Sequence, residues 1–191
     1  RNWQTLRAER ALLPSAYYLY HRNGTVNYVT AGQFANDRET IRQWLIRSLL
    51  KASGIWGSGL DTLLTALRDA IKQSNSSTLP VEAIMKAMRT RGKSLLFDRA
   101  EIEDMLGMTY GDKRIFPLLS LLFPFVDMRN QFHIDHIFPI SRFSKIKLRQ
   151  AGISHERQDD LYAQANSLPN LQLLEGAANI EKQAALPAEW L

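Results

Sequence analysis

Apolar residues recur at the spacing of an α-helix through about the first 125 residues, and this periodicity limits the possible folds more than any other feature. A single apolar stripe with this spacing is typical of a helix that buries one face. The clearest stripe is formed by Leu60, Leu63, Leu64, Leu67 and Ile71. The pattern predicts a mainly α-helical fold built around a helical bundle.

Local signals predict where several of these helices begin. Asp37 is expected to cap a helix that runs to about Ala52, since a short acidic side chain can accept a hydrogen bond from the first turn. Pro80 is expected at the first position of a later helix that runs to Thr90, where a missing N–H costs nothing. Asp98 is expected to cap a shorter helix that ends at Gly107.

The pattern changes at Phe132. Apolar and polar residues alternate over Phe132–Phe138, which predicts a short strand. A second short apolar run at 171–174 predicts another strand, and 175–183 has helical propensity. Between the strands, helical spacing covers 154–165. The expected order is a helical bundle, then strand, long connection, strand and helix.

Composition excludes several classes of protein. The 191 residues include no cysteine, which excludes disulfides, thiolate zinc sites and cysteine nucleophiles. The net charge of +5 is compatible with a nucleic-acid partner and equally with a basic protein that has none. The longest apolar stretch, 115–126, is shorter than the roughly 20 residues of a membrane span, so no membrane partner is expected.

The residues best suited to catalysis or metal binding lie in the segment that begins at Phe132. His136 can act as a base near neutral pH, and the adjacent carboxylate of Asp135 is a hard ligand suited to a magnesium-like ion. Neighbouring residues of a strand point to opposite faces, so the two can act at one point only if the strand bends. Pro139 makes such a bend plausible. The alternative is a buried histidine satisfied by a carboxylate.

Three runs in this order resemble the HNH endonucleases, also called ββα-metal or His-Me finger nucleases. They are IDHIFP at 134–139, PNLQLL at 169–174 and N-x-x-K at 179–182, and they match the H-N-N version of the motif. The resemblance implies a small C-terminal ββα-metal unit. In it, His136 would be the catalytic base, Asn170 would hold the base and its loop, and Asp135 and Asn179 would bind a divalent metal, Mg²⁺ or alternatively Mn²⁺.

The longer arrangement is similar to the C-terminal part of modification-dependent restriction proteins of the GmrSD and SspE type. This similarity implies a helical domain at 1–129 and the nuclease unit at 130–191. It also implies metal-dependent nicking or double-strand cleavage of phage or modified DNA in the bacterial cytoplasm. The chain begins with Arg1, so we interpret it as a fragment that lacks an N-terminal nucleotide-hydrolysing domain, which would be a further partner.

Phosphate contacts are expected mainly from the connection between the strands. Residues 141–157 carry five basic side chains against one acid, and such side chains neutralise DNA phosphates without reading sequence. The candidate phosphate ligands are His133, Arg142, Lys145, Lys147, Arg149 and Lys182. Two alternatives stay open: a solvated basic surface, and a DNA-binding or partner-docking module whose HNH unit is catalytically silent.

Overall fold

A computed structural model describes residues 9–22, 24–51, 54–124, 126–127 and 130–190. The chain is mainly helical with one small two-stranded sheet, which confirms that the fold is mainly α. It forms two compact units, Arg1–Asp98 and Arg99–Leu191. The expected division after residue 129, itself outside the described residues, falls within the second unit. No helix in the described ranges is long and apolar enough to span a membrane.

The first unit is built from amphipathic helices around one apolar core. Leu63, Leu67 and Ile71 of the predicted stripe are buried, while Leu60 and Leu64 are partly buried and pack against the core. The helices of this unit are α1 (Leu12–His21), α2 (Ala35–Leu50), α3 (Leu60–Gln73) and α4 (Val81–Arg89). The predicted periodicity therefore marks the buried face of α3 correctly.

Asp37 is not the cap of α2, so that prediction was wrong. The helix already begins two residues earlier, and the Asp37 side chain is buried. Its carboxylate accepts hydrogen bonds from the hydroxyls of Tyr18 and Tyr28, at 3.0 and 2.8 Å, and from the N–H of Leu79 at 2.7 Å. Asp37 thus links three segments of the first unit. Ala52, the expected end of the helix, lies outside the described residues.

The second unit places a two-stranded antiparallel sheet among short helices. Its elements are α5 (Arg99–Leu106), α6 (Ile115–Leu122), β1 (Phe132–His136), α7 (Lys145–Gln150), α8 (His155–Ala165), β2 (Leu171–Glu175), α9 (Gly176–Lys182) and α10 (Pro187–Trp190). Helix α9 packs on both strands and α6 packs on β2. In the strand register, Asp135 lies opposite Gln172 and His136 opposite Leu171.

Strand β1 ends earlier than the alternation predicted. The last strand pair is His136 with Leu171, and the N–H of Ile137 extends the same register by one hydrogen bond, to the carbonyl of Asn170 at 2.8 Å. Residues 137–138 form a bend. The chain therefore leaves the sheet shortly after Asp135 and His136, the two residues best suited to catalysis or metal binding.

Candidate functional site

His136 is the last residue of β1 and is fixed from two directions. Only 8% of the residue is exposed. Its Nε2 lies 3.1 Å from the side-chain oxygen of Asn166, the residue that follows α8. The ring of Tyr110 packs against the imidazole, with 4.6 Å between ring centroids and a 38° tilt. The imidazole therefore has a defined edge contact and a defined face contact.

Asp135 is paired with a buried lysine from α9. The Nζ atom of Lys182 lies 2.8 Å from Oδ2 of Asp135 and also donates to the backbone oxygen of His136 at 2.7 Å. The side-chain amide of Gln172 donates to the same carboxylate oxygen at 3.1 Å. Lys182 is only 2% exposed, so its ammonium points into the protein. It is therefore not available to bind a DNA phosphate, contrary to the expectation from the sequence.

Asn170 fastens the backbone that follows His136. Its side-chain oxygen accepts from the N–H of Phe138 at 2.8 Å, and its amide nitrogen donates to the Phe138 carbonyl at 3.0 Å. The same nitrogen donates to the carbonyl of Ala165 at 2.7 Å. One asparagine thus joins the start of β2 to the bend after β1 and to the end of α8. This arrangement limits how far His136 can move.

Asn179 lies three residues before Lys182 on α9, so the two side chains share one face of the helix. Because Lys182 reaches Asp135, the face that carries Asn179 is the face turned toward β1. Asn179 is half-buried, and its side chain makes no hydrogen bond with any described residue. The second carboxylate oxygen of Asp135, Oδ1, is likewise without a hydrogen-bond partner in the described part of the chain.

These two unengaged oxygens are of the ligand types that a magnesium-type ion takes. A carboxylate and an amide oxygen are hard ligands, and Mg²⁺ usually keeps several waters alongside one or two protein ligands. No group of three or more His, Cys, Asp or Glu side chains that could hold a metal occurs in the described ranges. An ion bound by Asp135 and Asn179 would need water to complete its coordination. The positive charge of the Lys182 ammonium beside Asp135 repels a metal ion and so weakens metal binding at this carboxylate.

Some basic side chains of the connection between the strands, residues 141–157, bind other groups of the protein. Lys145 lies 2.9 Å from Asp159, and this ammonium lowers the pKa of the Asp159 carboxyl. Arg142 donates to the carbonyl of Ala184 at 3.4 Å and lies 3.9 Å from Glu189. Two of the expected phosphate ligands thus already have protein partners.

The remaining expected phosphate ligands are available to solvent. Lys147 and Arg149 of α7 are exposed and have no side-chain partner among the described residues. His133 is exposed and lies beside Gly176 at the start of α9. A phosphate near the sheet could therefore meet His133, whereas Lys147 and Arg149 extend the basic surface onto α7.

Three residues of this site have no distinctive signal in the sequence. Asn166 follows a helix, where asparagine is common for reasons of backbone geometry alone. Tyr110 lies in a turn after α5, and Gln172 is one polar residue in a short strand. They are recognised only through their contacts with His136 and Asp135.

No family model matches this sequence, and no curated protein matches it significantly.

Proposed function

We propose that the second unit is an HNH endonuclease that hydrolyses DNA phosphodiesters with a divalent metal ion. The observation that carries the proposal is the set of bonds made by Asn170, which fixes the bend directly after His136. A base that must meet an attacking water in one geometry benefits from such a fixed backbone. The order of β1, the long connection, β2 and α9 also supports the proposal, because it is the order of a ββα-metal unit.

The chain's own residues would divide the chemistry between them. His136 would accept a proton from water, which is the usual role of a neutral imidazole near pH 7. Asp135 and Asn179 would hold Mg²⁺ or Mn²⁺ through their unengaged oxygens. When bound, such an ion neutralises charge that develops on the phosphate and the leaving oxygen. Lys147 and Arg149 would contact the DNA backbone without sequence preference.

The proposed biological setting is bacterial defence against phage or modified DNA. It rests on the similarity of the runs at 134–139, 169–174 and 179–182 to restriction proteins of the GmrSD and SspE type. In that setting, a nucleotide-hydrolysing domain elsewhere in a longer chain would control when the nuclease cuts.

Supercoiled plasmid tests the proposal directly. Incubation with Mg²⁺ or Mn²⁺ should convert it to open-circle or linear DNA, and EDTA should stop the conversion while leaving helix content intact. His136→Ala should lower the single-turnover rate about 10²–10⁴-fold, the usual contribution of a positioned base. His155→Ala, an exposed histidine at the start of α8, is the matched control and should cut normally.

A second function is supported by one observation. The Lys182 ammonium already compensates Asp135, as expected of a DNA-binding or partner-docking module whose nuclease unit is silent. In that case the plasmid would be bound without conversion in either metal. A wild-type protein that cuts, together with a His136→Ala protein that binds DNA but does not cut, would exclude the silent module.

A further inference from the structure

Asn166 is held in place by contacts that do not involve His136. Its backbone N–H donates to the carbonyl of Ala163 at 3.1 Å, and its carbonyl accepts from the N–H of Tyr110 at 2.8 Å. Its side-chain nitrogen donates to the carbonyl of Tyr162 at 3.1 Å. The main chain and the amide group of Asn166 are therefore both oriented by α8 and by the turn that contains Tyr110.

This orientation decides which atom of Asn166 faces the imidazole. A carbonyl can only accept a hydrogen bond, so the group next to the Tyr162 oxygen must be the NH₂ of the amide. The side-chain oxygen is then the atom 3.1 Å from Nε2 of His136. Because that oxygen can only accept, Nε2 must carry the proton. In a neutral imidazole the other nitrogen, Nδ1, is then unprotonated.

Among the described residues, Nδ1 of His136 has no hydrogen-bond partner. The ring of Tyr110 packs against one face of the imidazole and hinders the half-turn that would put a carbon atom in the place of each nitrogen. The free lone pair and the bound N–H are thus kept on separate sides of a ring that is mostly buried.

We propose that Asn166 is a positioning residue that holds His136 in the Nε2–H tautomer and so presents Nδ1 as the base. Its catalytic consequence rests on the proposed nuclease function. Nδ1 would take one proton from a water molecule, giving an imidazolium with an N–H on each nitrogen. The resulting hydroxide would form a new P–O bond while one P–O ester bond of the DNA backbone breaks, and the departing sugar oxygen would take a proton from solvent water. Asn166 itself would touch neither the water nor the phosphate.

The tautomer is measured without DNA or metal. Long-range ¹H–¹⁵N NMR of ¹⁵N-labelled protein distinguishes a protonated from an unprotonated imidazole nitrogen at a pH above the histidine titration range. The His136 signal is assigned by its loss in His136→Gln. We expect Nε2 to be protonated and Nδ1 not to be. A His136 signal with the proton on Nδ1 would overturn the proposal.

Two substitutions separate the tautomer role from a structural one. Asn166→Leu removes the acceptor for His136 and the donor for the Tyr162 carbonyl, whereas Asn166→Asp keeps the acceptor, loses the donor and adds a negative charge. We expect Asn166→Leu to give a mixture of tautomers and a single-turnover rate about tenfold lower, since one hydrogen bond contributes about that factor. Asn166→Asp should restore the single tautomer and most of the rate.

The controls distinguish failure of this inference from failure of the proposed function. Gln164→Leu places the same side chain on the exposed surface of α8 and should change neither readout. If Asn166→Asp is as impaired as Asn166→Leu, the bond to Tyr162 is what matters and the positioning role is wrong. If wild-type protein cuts no DNA with either metal, the nuclease proposal fails, and the NMR result still decides the tautomer.

Discussion

Replacing Lys182 with methionine tests how the site is held together. Methionine keeps most of the length of the side chain and removes the ammonium that binds Asp135 and the His136 carbonyl. Removing one partner of a fully buried ion pair costs about 3–5 kcal/mol, because the other charge is left uncompensated. Here the Asp135 side chain is 17% exposed and keeps its bond from Gln172. We therefore expect Lys182→Met to lower the free energy of unfolding by a smaller amount, about 2–3 kcal/mol.

Native-state hydrogen exchange with mass spectrometry measures this cost within the second unit. A loss of about 2–3 kcal/mol corresponds to exchange that is about 30- to 150-fold faster in peptides covering β1 and β2. Lys147→Met is the matched control, because that lysine is exposed on α7. Exchange in Lys182→Met within threefold of the wild-type rate would show that the ion pair contributes nothing, and the reasoning would be refuted.

The same variant tests the metal ligands. Without the ammonium, Asp135 carries an uncompensated charge, so Mn²⁺ should bind the variant more tightly than the wild type. A ligand that binds only the folded state raises its stability by RT ln(1 + [L]/Kd). Titrated Mn²⁺ should therefore slow exchange in β1 more in Lys182→Met than in the wild type. Equal effects on both proteins would remove Asp135 from the metal site.

Three further predictions concern other contacts. Asn170→Ala removes hydrogen bonds of about 0.5–1.5 kcal/mol each, so it should destabilise the second unit by about 2–3 kcal/mol in urea; an unchanged midpoint would contradict this. Burial raises the pKa of Tyr18 to about 12 and that of Tyr28 further, so their stabilising effect should be complete below pH 10 and lost as pH rises through the raised values. Circular dichroism would show alkaline unfolding that Tyr18→Phe makes shallower; an identical curve would contradict it. Replacing Lys147 and Arg149 with alanine should reduce the salt slope of DNA binding by about two, and an unchanged slope would place α7 away from DNA.

The helices and strands were predictable because their signals are local. A buried helical face repeats every three to four residues, so Leu63, Leu67 and Ile71 identify the inner side of α3 without reference to any other segment. The two strands were found from equally local signals: alternation for the first, and a short apolar run at 171–174 for the second. Asp37 was misread because its partners, Tyr18 and Leu79, lie far away in sequence and override the local preference for a cap.

The site itself was predictable only in part. The motif resemblance selected Asp135, His136, Asn170 and Asn179, but it did not show which contacts each would make. The burial of Lys182 depends on how α9 packs against the sheet, and no local pattern records that packing. The number of basic side chains free to bind phosphate was also overestimated. The acids that follow residue 157 lie one turn further along α8, where Asp159 pairs with Lys145.

The position of Asp135 and His136 at the end of β1 resolves the difficulty that adjacent strand residues face opposite ways. Asp135 makes its contacts with α9, whereas the His136 ring makes its contacts with Tyr110 and with Asn166 at the end of α8. In the middle of a strand, the two side chains would be separated by the sheet. The last strand pair is at His136, and the chain bends at 137–138. Under the proposed function, a phosphate at this strand end would lie next to both faces. The bonds of Asn170 to Phe138 and Ala165 hold that bend, so the backbone after His136 is fixed whether or not His136 acts as a base.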